Sequence, residues 1–190
     1  MPRRRVSNTA LLMLGALLSG AAATAQDAGQ ADLRLDERVE LRAHEKLIAE
    51  VEKAGRAPAP FTTDGCSGWQ SAAWAFAAER IPVFEEAHGT LPPWEACCVV
   101  HDRAYHRAGD APDALQSLRA RQAADDALAA CVEDTAAARQ TELGEIYGMS
   151  PENVVRVYKL IAQTMLGAVR LGGAPCTGLS WRWGYGYPDC

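Results

Sequence analysis

The sequence predicts a mostly α domain closed by disulfides, and three observations lead there. Apolar residues recur at helical spacing in several stretches, divided by segments rich in proline, glycine and small polar residues. The six cysteines, Cys66, Cys97, Cys98, Cys131, Cys176 and Cys190, all follow an export-type leader, and an even count in an exported chain favours three disulfides over free thiols. Helix-start chemistry is written out at Ser150-Pro151-Glu152-Asn153: an N-cap, an N1 proline and an acidic first turn. No internal repeat and no second domain breaks the pattern.

Arg3, Arg4 and Arg5 form a basic start, Thr9 to Ala23 a mostly apolar run, and Ala23-Thr24-Ala25 a small-x-small cleavage site. Residues 1–25 therefore read as a cleaved signal peptide and 26–190 as one secreted or periplasmic domain. The apolar run falls short of the roughly 20 residues a membrane span needs, so no transmembrane segment is expected in the mature chain. An uncleaved anchor is the alternative. Removing the three arginines from a chain of formal charge −5 gives −8. That balance argues against nucleic acid as a partner and against electrostatic docking on anionic membranes. What remains suffices for one domain with a substantial core. Six cysteines alone leave the pairing open.

In chain order, Ala31 to Gly55 carries Leu35, Val39, Leu47, Ile48 and Val51 at spacings that predict an amphipathic helix, ended by the stiff Ala57-Pro58-Ala59-Pro60 linker. Phe61 to Trp69 is rich in turn formers and reads as a loop. Ser71 to Arg80 makes a short helix, and Pro82 and Pro92-Pro93 bracket an irregular segment. Pro93-Trp94-Glu95 opens a helix through the twin cysteines, stopped by Arg107 to Pro112 with Gly109 and Asp110. A long helix follows from Asp113 to Ala138. The helix opened at Ser150 runs to Gly172-Gly173. The tail Ser180 to Tyr187, aromatic and glycine-rich, is loop or short strand.

The chemistry concentrates in Ala96 to Tyr105. On a helix Cys97, His101 and Tyr105 fall at i, i+4 and i+8 and share a face, with Trp94 a turn earlier. Asp102 is rotated from His101 by roughly 100° and serves a different ligand. That division suits a histidine general base beside a carboxylate that holds a cation. On the next long helix Leu118, Asp125, Leu128 and Val132 keep one stripe, so Asp125 interrupts an apolar face, while Asp126 lies with Arg119 and Glu133 on a solvated one. A carboxylate on an apolar stripe needs a partner, because burying it alone is costly. Two plainer readings compete. Cys97, Cys98 and His101 have the residue types of a zinc site, weakened by export and by the lack of a Cys-x-x-Cys elsewhere. Alternatively the cysteines are disulfide halves and His101 and Asp102 surface polar residues, which leaves Asp125 unexplained.

Ala96 to Tyr105 resembles the Cys-Cys-x-x-His-Asp-x-Cys-Tyr signature of the secreted phospholipase A2 superfamily, with Ala104 at the third cysteine. In that family a second, antiparallel helix carries Cys-Asp and, six residues beyond the aspartate, another cysteine. Here Ala124-Asp125 and Cys131 stand in that pattern. Ala104 and Ala124 occupy the two ends of one family disulfide, so a complete bridge is absent rather than half of one. The resemblance covers about Thr63 to Cys131. It implies a disulfide-clamped antiparallel helix pair of the phospholipase A2 type, here with extra N-terminal and C-terminal helices. The implied bonds are Cys97–Cys131 and Cys66–Cys98, leaving Cys176–Cys190 to close the tail. Steps of about 6 Å from Cys97 to His101 and about 9 Å from Cys131 to Asp125 then bring Asp125 close to His101.

The resemblance also implies roles. His101 takes a proton from water, Asp125 orients its ring and stabilises the imidazolium, and Tyr105 hydrogen-bonds to Asp125. Asp102 gives carboxylate oxygens to Ca²⁺, joined by backbone carbonyls of Gly65, Ser67 and Trp69 in and beside the Asp64-Gly65-Cys66-Ser67-Gly68 loop. The implied function is calcium-dependent hydrolysis of a phospholipid acyl ester at a membrane or micelle interface, with no covalent enzyme intermediate. The alternative is a non-catalytic scaffold of the same fold, a secreted binding or toxin-like protein. Trp69, Trp74, Trp94, Trp181 and Trp183 are candidates for a rim that enters the lipid interface, against the commoner fate of burial in the core.

Overall fold

The computed structural model describes residues 33–66 and 69–190, and of Trp69 and Gln70 the backbone alone. The expected signal peptide and Ser67 lie outside the described residues. The chain divides into two compact units, 1–39 and 40–190. The described part of the first is the opening of helix α1 (Leu35–Lys53) and the residues before it, where Arg34 pairs with Asp36 at 3.2 Å.

Six α-helices and no strand form among the described residues. Helix α1 buries Leu41, His44, Leu47 and Val51, a stripe at helical spacing with a histidine inside it. Leu35 and Val39, expected on that stripe, are exposed. Helix α2 (Trp69–Arg80) is followed at once by α3 (Pro82–His88), where the sequence suggested irregular chain. Pro82 sits in the first turn of α3, where its fixed φ suits the helix and its missing N–H costs nothing. Helix α4 (Glu95–His106) carries the twin cysteines and ends in a 3-10 turn at Ala108–Asp110. Helix α5 (Ala114–Tyr147) starts where the Asp113 side chain accepts from Gln116 N at 2.9 Å. It continues past the expected end at Ala138 because the buried stripe continues, through Ala136 to Leu143 and Gly144. Gly148, left-handed, then closes it. Helix α6 (Pro151–Gly172) opens as expected, the Ser150 side chain accepting from Asn153 N.

Two apolar clusters flank the middle of α4. One gathers Trp94, Cys97 and Cys98 with Leu128 and Val132 of α5 and Val154 and Tyr158 of α6. The other gathers Tyr105 with Leu47 and Val51 of α1 and Trp183 and Tyr187 of the tail. Burying each such large side chain contributes about 1.5–3 kcal/mol. Disulfides join Cys97 to Cys131, Cys66 to Cys98 and Cys176 to Cys190. From Cys97–Cys131 the contacts step forward along α4 and back along α5, through His101–Asp125 to Tyr105–Arg121, so these helices run in opposite directions.

The tail is a series of turns that serves α4. Gly184 N donates to Tyr105 O at 2.7 Å and Gly186 N to His106 O at 3.1 Å, satisfying carbonyls that a helix end leaves without partners. A Cβ at Gly186 would sit 2.5 Å from that same His106 oxygen, so only glycine permits the approach. Trp94 and Trp183 are buried core residues, which removes them from any lipid-facing rim.

Candidate active site

His101 and Asp125 meet across the α4–α5 contact. The Cys97–Cys131 bond fixes the register one turn away, and the spacing of each helix does the rest. His101 Nε2 lies 3.0 Å from Asp125 Oδ1, and Tyr105 OH donates to the same oxygen at 2.6 Å. Asp125 is fully buried and His101 nearly so. A carboxylate only accepts, so in the neutral imidazole Nε2 carries the proton and Nδ1 the lone pair. Nδ1 is 3.9 Å from Asp102 Oδ1, beyond direct hydrogen-bond range. Burial alone would lower the His101 pKa, but the Asp102 and Asp125 carboxylates outweigh it and the net direction is upward. Tyr105 is pushed above its ordinary value by burial and then by the Asp125 charge, so its hydroxyl keeps its proton and donates.

His101 and Asp102 line a cavity of about 90 Å³ whose other wall is Leu128, Met165, Ala168 and Val169. A second cavity, of about 140 Å³, lies between Trp74, Trp94, Tyr158 and Ile161. Ile161 is one turn before Met165 on α6, and Trp94 one turn before Cys98 on α4, so the same two helix faces run past both cavities.

Behind the dyad, Asp125 Oδ2 faces cations. Arg121 Nη1 donates to it at 3.1 Å. Arg170 Nε is 3.0 Å away, but its N–H is not aimed at that oxygen. Arg170 Nη2 donates instead to Asp126 Oδ1 at 2.7 Å and Gln122 O at 2.8 Å. Arg121 is itself gripped, its Nε and Nη2 forming a fork on Glu40 at 2.6 and 2.8 Å. Glu40 also faces His44 Nε2 at 3.2 Å, and His44 Nδ1 is 2.8 Å from Ser117 Oγ. The indole N–H of Trp183 can only donate, and it does so to Ser117 Oγ at 2.9 Å. The serine hydroxyl then donates to His44 Nδ1 and leaves the Nε2 proton for Glu40. Burial pushes the His44 pKa down, more than Glu40 raises it. Burial would raise Glu40, yet the hydrogen bonds from His44 and Arg121 hold it low.

On the outer side, Thr63 Oγ1 donates to Asp102 Oδ2 at 2.5 Å and accepts from Gly65 N at 3.0 Å. Tyr185 OH of the tail donates to Thr62 O at 2.7 Å, and Cys66–Cys98 ties the loop to α4. Gly65 has φ +72°, and a Cβ there would meet Glu95 Oε1 at 1.7 Å. Asp64, Asp102, Thr62, Thr63 and Tyr185 line a polar cavity of about 240 Å³. Burial, and then Asp102 and Asp64, push the Tyr185 pKa upward. Two carboxylates beside hydroxyl and backbone oxygens form the donor set a hard cation such as Ca²⁺ prefers. Among the described residues no three His, Cys, Asp or Glu side chains group as a metal cluster. A site of two carboxylates and backbone oxygens needs no such group.

The structure thus brings His101, Asp125 and Tyr105 together and sets Asp102 and Gly65 beside them, while Trp69 begins α2. Asp126 is exposed, as its pattern suggested, but holds Arg170. Arg121 and the carboxylate of Asp64 are not among the expected site groups, although both have signals: Arg121 is four residues before Asp125 on the same stripe, and Asp64 heads the Asp-Gly-Cys loop. Glu40, His44 and Arg170 come from distant helices. No protein-family model, curated protein or solved structure matches this chain.

Proposed function

We propose that this protein hydrolyses a phospholipid acyl ester in a Ca²⁺-dependent reaction of the phospholipase A2 type, and that α4 and α5 are the helix pair of that family. The observation that carries the reading is the placement of His101: Nε2 lies against a buried carboxylate, which assigns it the proton of the neutral ring, and Nδ1 is left beside a second carboxylate in a residue that lines a cavity with an apolar wall.

In this reading His101 Nδ1 takes a proton from water as the water oxygen attacks the ester carbonyl carbon. Asp125 stabilises the imidazolium that forms, and the same proton then passes from Nδ1 to the departing alkoxide. Asp102, Asp64 and the Gly65 carbonyl would hold a Ca²⁺ ion, with Ser67 and Trp69 carbonyls as the resemblance implies. When bound, the ion would supply Lewis-acid polarisation of the carbonyl and charge neutralisation as the oxyanion develops. The apolar wall of Leu128, Met165, Ala168 and Val169 accepts the acyl chain beside the dyad, and the Trp94–Ile161 cavity takes its far end. The chain's acidic balance favours zwitterionic over anionic lipid surfaces.

One observation favours the non-catalytic scaffold instead: two guanidinium groups on Asp125 compete with an imidazolium for its charge. The test is hydrolysis of mixed phospholipid vesicles with and without a chelator, for the wild type and His101→Gln. Chelator-sensitive fatty-acid release that His101→Gln lacks is expected. Calcium binding without release from any vesicle would establish the scaffold.

A further inference from the structure

Asp125 has four neighbours with protons or positive charge, and only one of them secures its far oxygen. Oδ1 accepts from His101 and Tyr105. Oδ2 has Arg170 nearby without hydrogen-bond geometry, and Arg121 Nη1 with it. A terminal carboxylate torsion is broad and roughly two-fold, so an oxygen without a directed partner lets the group turn. Turning would carry Oδ1 away from the His101 N–H. The side chain that prevents this is therefore Arg121.

Arg121 is equipped for that task by residues outside the dyad. It is fully desolvated, and two of its three nitrogens are spent on Glu40 in a side-on fork. That leaves Nη1 directed toward Asp125 Oδ2, with Val169 O at 3.3 Å and Tyr105 OH at 3.5 Å as its further acceptors. Glu40 is kept in place from behind by His44, which is kept in place by Ser117 and Trp183. A lysine in place of Arg121 would keep the charge but could not present two edges to two carboxylates at once.

We propose that Arg121, aimed by its fork on Glu40, is a positioning residue for the dyad: it locks the Asp125 carboxylate so that His101 is held in its Nε2–H tautomer with Nδ1 at the cavity. This deepens the hydrolase reading and rests on it where it speaks of turnover; the positioning itself does not.

The test uses the full mature protein with Arg121→Lys and Glu40→Gln, the latter keeping both Arg121 and Asp125 but loosening the fork that aims one at the other. Arg107→Gln, on the surface pair with Asp110, is the control. Two quantities are read on folded protein, checked by thermal melts. The first is the slowly exchanging, downfield Nε2–H proton of His101 by NMR, assigned by its absence in His101→Gln. The second is kcat and KM on a short-chain phospholipid at saturating Ca²⁺. Both variants should lose or broaden the proton signal. Their kcat should fall by about tenfold to a hundredfold, the scale of a misplaced reacting group, with KM unchanged. A merely structural Arg121 would lower the melting temperature and leave kcat per folded molecule and the proton signal as in the control. An unchanged signal in either folded variant overturns the proposal, and if Arg121→Lys does not fold, Glu40→Gln decides. If the wild type releases no fatty acid, the hydrolase reading fails and the proton signal alone settles the positioning.

Discussion

Replacing Asp125 by asparagine should cost stability as well as any activity, and the structure gives the size. The side chain is fully buried, with His101 Nε2–H and Tyr105 OH on one oxygen and Arg121 and Arg170 on the other. Asparagine offers one acceptor oxygen and one NH₂ group. Whichever way the amide faces, its N–H groups oppose two donors or cations. The lost charge also leaves Arg121 with Glu40 alone. Breaking a buried pair by removing one partner costs about 3–5 kcal/mol. Because Glu40 still neutralises Arg121, the lower end applies, about 3 kcal/mol. For a chain of this size 1 kcal/mol moves the melting point by about 2–4 °C, so the expected drop is about 6–12 °C.

Asp126→Asn is the matched control. Its side chain is 66 % exposed and makes one ion pair, to Arg170. Exposed pairs contribute about 0–1 kcal/mol, so the shift should stay within about 4 °C. Urea unfolding followed by far-ultraviolet circular dichroism gives both numbers, provided the slope with denaturant is unchanged. An Asp125→Asn midpoint equal to that of Asp126→Asn would refute the argument, since the two changes are chemically identical and differ only in burial and partners.

Three further outcomes are expected. Asp102→Asn and Asp64→Asn should each weaken Ca²⁺ binding in calorimetry while leaving the fold intact, because each removes charge and not volume; equal affinity in both variants and wild type would remove the polar cavity as the cation site. His44 has a depressed pKa through burial, so below about pH 6.5 the unfolded chain binds a proton that the folded chain refuses, and stability falls as the pH drops. His44→Gln abolishes that component: between pH 7.5 and 5.5 the wild type should lose up to about 1.4 kcal/mol more than the variant in urea unfolding, and parallel losses would contradict it. Ile161→Trp fills the cavity beside Trp94, which lies about 10 Å along α4 from His101, so hydrolysis of long-chain esters should drop while short-chain esters are unaffected. Equal loss on both would mean that no acyl chain reaches that cavity.

What could be read from the sequence, and what could not, follows from how far apart the interacting groups are in the chain. Asp125 stood out because one helical period of apolar neighbours is a local signal, and a buried carboxylate predicts a partner without naming it. His101 and Tyr105 were placed on one face by the same period, which the structure keeps. The pairing of Cys97 with Cys131 needed a family resemblance, since six cysteines do not choose partners by themselves. Helix α3 is not legible because Pro82 reads as a breaker, whereas its place in a first turn makes it a starter. The largest omission was Glu40 and His44 on α1. The predicted stripe of Leu35, Val39, Leu47, Ile48 and Val51 holds at Leu47 and Val51 but not at the exposed Leu35 and Val39, and apolar spacing cannot register a buried ionic pair. Yet Arg121 carried half of that signal: a cation four residues from Asp125, on the same buried stripe, has more donors than one carboxylate can accept. A fully buried arginine needs acceptors for its remaining nitrogens, and Glu40 supplies them. A charged residue on an apolar stripe is therefore a demand for a second long-range contact. In this chain that demand ties α1 and, through His44, Ser117 and Trp183, the C-terminal tail to the carboxylate behind His101.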